Sequence, residues 1–139
     1  MNFLSMHQHS IRVYAEDVDY MGIVYHANYL CYLERARTEL LRHSNWMLSD
    51  LIKMDVLFAI KELVIKYIYP AKLDDLLTVT TQIKELKACS FVFEQTAINQ
   101  NGTVVCEAKI QVVCVNGKLK PKRLPDLMGA EQGGVKNNT

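Results

Sequence analysis

The sequence carries no surplus of charge of either sign, since 16 Lys and Arg stand against 15 Asp and Glu. No large field is available to steer the protein onto nucleic acid or an anionic membrane, so neither partner is expected. Long apolar runs are also missing. Stretches such as Val56-Leu57-Phe58-Ala59-Ile60 are far too short for a transmembrane span. The first residues, Met1 to His7, have neither the basic start nor the apolar stretch of a secretory signal. A cytoplasmic protein is therefore the expectation. Cys31, Cys89, Cys106 and Cys114 form no C-x-x-C pair and have no histidine at finger-like spacing. That gives a metal site no support, and the thiols read as buried, reduced and apolar in behaviour. Internal repeats and low-complexity tracts are absent.

What is present suits one compact core. Half of the 139 residues are hydrophobic, enough for a domain of this size to fold without disulfides or a structural metal. Residues 9–16 alternate in polarity and read as a first strand, which ends in the Asp-rich, Gly-containing turn Glu16-Asp17-Val18-Asp19-Tyr20-Met21-Gly22. From Asn28 the period changes. Tyr29, Leu33, Ala36 and Leu40 recur at helical spacing, with Leu30 and Leu41 widening the apolar stripe, and the pattern stops near His43-Ser44-Asn45. The opposite face, with Glu34, Arg35, Glu39 and Arg42, is expected in solvent with contacts one turn apart. A short helical piece follows over 47–54. Four strands are then expected over 58–69, 76–86, 90–99 and 103–115, separated by turn signals at Pro70 with Asp74-Asp75, Asn101-Gly102 and Asn116-Gly117. One strand, one long helix and four more strands make an α+β order in which a single helix must cover one face of an antiparallel sheet. The expected organisation is a lead-in over 1–8, a domain over 9–125 and a flexible tail over 126–139.

The chemistry concentrates in the run from Asp17 to Tyr29, where two carboxylates, a glycine turn and an imidazole precede the long helix. The first turn of a helix has N–H groups without intrahelical acceptors and a partial positive charge. A developing oxyanion held there is stabilised by roughly 2.7–4 kcal/mol per donor in acyl-transfer sites. An Asp of ordinary pKa, about 3.9, is ionised at neutral pH and can deprotonate a water or attack a carbonyl itself. A thiolate leaving group, from a thiol of pKa roughly 8.5, departs with little help, so a site this sparse suits a thioester better than an amide. Spacing alone also allows Asp17 and Asp19 to be simple turn or capping residues, and His26 to be a hydrogen-bonded structural histidine.

The run Tyr14-Ala15-Glu16-Asp17-Val18-Asp19-Tyr20-Met21-Gly22-Ile23-Val24-Tyr25-His26-Ala27-Asn28-Tyr29-Leu30, continued by Glu34-Arg35-Ala36-Arg37-Thr38-Glu39, resembles the hotdog thioesterases. Among them it is most similar to the Tol-Pal-associated acyl-CoA thioesterases of the YbgC type, relatives of 4-hydroxybenzoyl-CoA thioesterase. The resemblance extends from about His9 to Pro125. It implies a hotdog fold, a five-stranded antiparallel sheet wrapped around one long central helix, assembled as a homodimer or homotetramer with sites at subunit interfaces. It implies Asp19 as the catalytic carboxylate, with Asp17 structural, and His26 as the position whose backbone N–H polarises the substrate carbonyl while its side chain assists.

Tyr25 and Asn28 would shape the pocket floor, and Gly22 would turn the loop beside it. Tyr20 and Met21, standing where many relatives have a small residue or Pro, would line or narrow the acyl pocket. Lys118, Lys120, Lys122 and Arg123 become candidates for the phosphates of coenzyme A, unless they form only a solvated loop. Ser90 is a further candidate for the same groove. Coenzyme A would be part of the substrate, with no cofactor besides. Two alternatives stay open: the acyl group could arrive on acyl carrier protein, or the domain could be a non-catalytic module that binds acyl ligands or partner proteins.

Overall fold

A computed structural model describes residues 3–125 of the chain; the expected tail, 126–139, lies outside the described residues. The element order is β1 (Met6–Arg12), a single 3-10 turn at Ala15–Asp17, α1 (Asn28–His43), α2 (Leu48–Lys53), β2 (Leu57–Tyr67), β3 (Leu76–Lys84), β4 (Ser90–Ile98) and β5 (Val104–Val115). The strands form one antiparallel sheet in the order β1-β3-β4-β5-β2, with β1 and β2 as its edges.

The alternation of each central strand decides which face is wet. Leu77 and Val79 of β3, Phe91, Phe93 and Ala97 of β4, and Cys106, Ile110 and Val112 of β5 are buried on the face that meets α1. That helix presents Tyr29, Tyr32, Leu33, Ala36, Leu40 and Leu41 to the sheet. Its C-terminus is closed by Asn45, whose φ of 63° lets the Trp46 N–H reach Leu41 O at 2.8 Å. Arg42 and His43 in the last turn complement the helix dipole.

Several expectations shift. The first strand lies at Met6–Arg12 rather than 9–16, so Met6, His7 and Gln8 of the expected lead-in are part of the sheet, and Phe3 joins the core. Residues 15–17 leave the strand because the Asp17 side chain turns back to bond the Tyr14 N–H at 2.9 Å. Leu30, read as core, is 39 % exposed. Of the charged helix face, Glu39 and Arg42 pair at 3.3 Å, while Arg37, which the periodicity did not single out, is buried. Cys106 and Cys114 are buried as expected, whereas Cys31 is exposed.

One irregularity interrupts β2. Its register against β5 shifts between Ile60 and Glu62, leaving Lys61 as an extra residue. The bulge keeps Phe58 and Ile60 before it, and Leu63 and Ile65 after it, on the helix side of the sheet, opposite Cys114, Val112, Ile110 and Ala108. Even so, α1 leans chiefly on β1 and β3. Between its other side and β2 runs an open cleft of about 110 Å3, lined by Glu34, Arg37, Thr38 and Leu41 of the helix and by Phe58 and Ile60 of β2.

Candidate active site

The two aspartates of the Asp-x-Asp pair have different surroundings. Both oxygens of Asp17 are engaged: Oδ2 accepts the Tyr14 N–H at 2.9 Å and Oδ1 accepts the Asn28 side-chain amide at 2.7 Å. Its backbone carbonyl accepts the Tyr25 N–H at 3.0 Å. Burial by itself would raise the pKa of Asp17, but the bonds from Tyr14 and Asn28, with Tyr32 and Arg35 nearby, outweigh it and hold the carboxyl below its ordinary range. The Tyr32 hydroxyl beside it is buried and makes no hydrogen bond of good geometry. Burial first, and the Asp17 charge second, keep that phenol protonated well above its usual pKa. Asp17 thus ties the β1 exit to the first residue of α1.

Asp19 sits in a tight hairpin formed by the bridge Val18 to Val24. The hairpin is closed by the Asp19 N–H on Ile23 O at 2.9 Å and the Gly22 N–H on Asp19 O at 3.0 Å. Gly22 has φ 79°, a left-handed conformation that a side chain rarely takes. The hairpin is anchored to the chain between β2 and β3, because the Val24 N–H bonds Ala71 O at 2.9 Å and Ile23 bridges to Lys72. The Asp19 carboxylate receives a single bond, from the Met21 N–H to Oδ1 at 2.7 Å. Its other oxygen has no partner among the described residues, and the side chain is half-buried. This is a positioned carboxylate with an unused oxygen.

The start of α1 supplies the complementary charge. Its N-cap position, Ala27, has no side-chain cap, and the first turn has no acidic residue. Among the described residues the N–H groups of His26 and Ala27 have no acceptor, so they are free donors at the positive end of the helix. The His26 ring lies against Tyr25 at 4.5 Å between centroids and meets the edge of Tyr67 at 6.4 Å. The Tyr67 hydroxyl donates to His26 O at 3.1 Å, which fixes the helix start beside the last residue of β2. Tyr29 backs this arrangement, its buried hydroxyl accepting the Ala71 N–H at 3.1 Å; burial raises its pKa above the usual phenol value.

Asp19, Tyr20, Met21, Gly22, Tyr25, His26 and Asn28 therefore gather at one end of the sheet. Not all sit as expected. Tyr20 is 97 % and Met21 63 % exposed, so within one protomer neither lines a pocket. The Asn28 amide is engaged by Asp17 rather than facing a pocket floor. Ser90, Lys120, Lys122 and Arg123 stand at the other end: Ser90 pairs with Val113, and Val115 pairs with both Leu57 and Pro121. Tyr67 and Leu57 are ten residues apart on β2, about 33 Å. Lys122 is also engaged there, its Nζ donating to Met54 O at 2.9 Å and Asp55 O at 3.0 Å beyond α2.

Sequence reasoning missed Tyr67 and Arg37. Tyr67 has only the alternation of an edge strand to mark it, and Arg37 falls between two core positions of the helix. A concavity of about 590 Å3 lies on the outer face of the sheet between Lys66, Gln82, Glu94 and Lys109, away from Asp19.

A five-stranded antiparallel sheet with a long helix packed against one face is the fold of the hotdog thioesterases. The chain belongs to the thioesterase-like superfamily, whose family model matches residues 13–131. It is 43 % identical over 122 residues to the Escherichia coli acyl-CoA thioester hydrolase YbgC, covering 87 % of this chain and 91 % of that protein. It is 45 % identical over 117 residues to the Haemophilus influenzae acyl-CoA thioesterase YbgC, covering 83 % and 85 %. Among solved structures, a probable thioesterase from Bartonella henselae superposes with a TM-score of 0.80 at 34 % identity, covering 86 % of this chain and 99 % of that one.

Proposed function

We propose that the protein hydrolyses an acyl-CoA thioester to a free acid and coenzyme A, with Asp19 as the catalytic carboxylate. The observation that carries this reading is the contrast between the two aspartates. Asp17 has both oxygens bonded, whereas Asp19 keeps one free while its own turn holds the other. The thioester carbonyl would accept the free N–H groups at His26 and Ala27, where partial positive charge stabilises the developing oxyanion. Asp19 then takes a proton from a water whose oxygen bonds the carbonyl carbon. The C–S bond breaks, and the thiolate leaves without needing a strong acid. The same carboxylate could instead attack the carbonyl directly, giving an anhydride that water cleaves.

Two YbgC relatives are named acyl-CoA thioesterases or hydrolases, which favours coenzyme A over acyl carrier protein as the carrier and turnover over passive binding. This chemistry asks for no cofactor beyond the coenzyme A of the substrate. The resemblance extends to a cytoplasmic homodimer or homotetramer in the Tol-Pal-associated branch; no helix among the described residues is long and apolar enough to cross a membrane.

The direct test is thiol release over a panel of aliphatic and aromatic acyl-CoAs, matched against the same acyl groups on acyl carrier protein. Hydrolysis of at least one acyl-CoA, faster than of its carrier-protein counterpart, is expected. Binding without thiol release from any member would overturn the enzyme reading, and a preference for the carrier protein would overturn the substrate.

A further inference from the structure

Asp19 and the start of α1 lie close together in the chain, yet both are held by a distant stretch, residues 67–72. The Tyr67 hydroxyl donates to His26 O at 3.1 Å. Further along, Ala71 O accepts the Val24 N–H at 2.9 Å, and Lys72 bridges to Ile23 in the Asp19 hairpin. The holding stretch is itself clipped to the sheet, because the N–H groups of Ile68 and Tyr69 both reach Val105 O, at 2.9 and 3.2 Å. Pro70 stiffens it by fixing its own φ. This frame therefore sets where the Asp19 carboxylate stands relative to the N–H donors of His26 and Ala27, and Tyr67 is its contact on the donor side.

That contact falls on one particular peptide group. The carbonyl of His26 and the N–H of Ala27 are two ends of the same planar, trans unit, so they point in opposite directions. The Tyr67 hydroxyl bonds the carbonyl end. The N–H end has no acceptor among the described residues and points away from Tyr67, at the positive end of the helix. A bond to the oxygen of a peptide changes its N–H in two ways. It fixes the plane of the group, and with it the line along which the hydrogen points. It also draws electron density toward the oxygen and makes the N–H a stronger donor, since hydrogen bonds in a chain polarise one another. The ring contributes separately, lying edge-on to Tyr29 at 5.4 Å between centroids and meeting His26 at 6.4 Å. Removing the hydroxyl alone leaves those aromatic contacts in place.

We propose that Tyr67 is a positioning residue for thioester hydrolysis, acting through the His26–Ala27 peptide to aim and polarise the N–H that receives the substrate carbonyl. The inference rests on the acyl-CoA hydrolase reading above and adds to it a residue from β2. Tyr67 touches no reacting atom. As negative charge develops on the carbonyl oxygen, the Ala27 N–H bonds it more tightly, the His26 carbonyl gains charge in turn, and the bond from the Tyr67 hydroxyl strengthens with it. The benefit grows between bound substrate and transition state, so it belongs in kcat more than in KM. Loss of a whole oxyanion donor costs about 10²- to 10³-fold in kcat, and one hydrogen bond strengthens its neighbour by roughly 10–30 %. Taken as a share of that exponent, removal of the hydroxyl lowers kcat about 2- to 8-fold.

The test is Tyr67→Phe in the full chain, assayed by thiol release with the acyl-CoA that the parent hydrolyses best. The expected result is a kcat lower by about 2- to 8-fold with KM within about twofold of the parent. The urea midpoint should hold, because the bond that is lost is exposed. A role confined to packing would not alter the bound carbonyl, so the deciding measurement is spectroscopic. With Asp19→Asn slowing turnover, the infrared band of a carbon-13-labelled thioester carbonyl should move to lower frequency on binding, as polarisation weakens the C=O bond. Adding Tyr67→Phe should return it part of the way toward the free value. A raised KM with kcat unchanged, or a carbonyl band that ignores the hydroxyl, overturns the assignment of Tyr67 and leaves the hydrolase reading standing. A parent chain that releases no thiol from any acyl-CoA overturns both.

Discussion

Replacing Asp19 with Asn removes a charge while keeping nearly every contact that shapes its loop. The amide oxygen can still accept the Met21 N–H, now 2.7 Å away, and the backbone bonds to Ile23 and Gly22 are untouched. With one neutral hydrogen bond retained and no ion pair lost, the expected stability change is within about 0.5 kcal/mol. Turnover is another matter. Loss of a positioned base costs typically 10²- to 10⁴-fold, so kcat for the best acyl-CoA in the panel should fall by at least 100-fold. The control is Asp17→Asn. The new amide cannot accept both the Tyr14 N–H and the Asn28 amide as the carboxylate does, so about 1–3 kcal/mol of stability is at risk, while kcat per folded molecule should change far less. The assays are thiol release under saturating substrate and urea unfolding followed by circular dichroism. A pattern in which Asp17→Asn abolishes turnover in folded protein while Asp19→Asn retains it would refute the division drawn from the two hydrogen-bond sets.

Other outcomes follow from the same structure. Leu40→Ala should destabilise by about 2–5 kcal/mol in urea unfolding, because the side chain is fully buried at the centre of the core cluster and its removal leaves a cavity. Gly22→Val should lower kcat with the fold intact and Gly22→Asn should do so less, since φ 79° there is tolerated by Asn far better than by a β-branched residue; equal activity in both variants would show that the hairpin does not position Asp19. His7 has its pKa lowered by burial first and then by His43, whose ring lies 4.4 Å away, and His9. The folded state then resists a proton that the unfolded chain accepts near pH 6.5, so stability should fall as pH drops below that value. His7→Gln should flatten this slope in unfolding curves between pH 7 and 5. The depressed carboxyl of Asp17 acts in a separate, lower window, its contribution being lost as pH falls below about 3.8.

The elements from α1 onward are legible because each obeys one period. Tyr29, Leu33, Ala36 and Leu40 repeat at helical spacing, and the strands after residue 57 alternate between turn signals that contain Gly, Asn or Asp. The first strand was misplaced because residues 13–16 continue its alternation, although the Asp17 side chain captures the Tyr14 N–H and ends the ladder earlier. The candidate site is legible as a cluster, since Asp17 to Asn28 are neighbours along the chain. The roles inside it are not. Asn28 looks like a pocket residue until its amide is found on Asp17, and Tyr20 looks like a pocket lining until it proves almost wholly exposed.

Local chemistry is short-ranged, and the sequence by itself determined whatever depends on it: the α+β order, the turn at Gly22, the helix that begins near Asn28, and the pair of carboxylates placed before it. Tertiary structure decided what depends on residues far apart in the chain. Gln95, 58 residues from Arg37, meets the guanidinium with an amide and not a carboxylate, and Tyr67, 41 residues from His26, fixes the helix start. The basic segment at Lys120 to Arg123 lies at the opposite end of the sheet from Asp19 because β5 runs the length of β2 before the chain leaves it. Burial and hydrogen-bond partners are set by packing across the sheet, so which aspartate has both oxygens bonded and which keeps one unused among the described residues emerge only once the strands are paired.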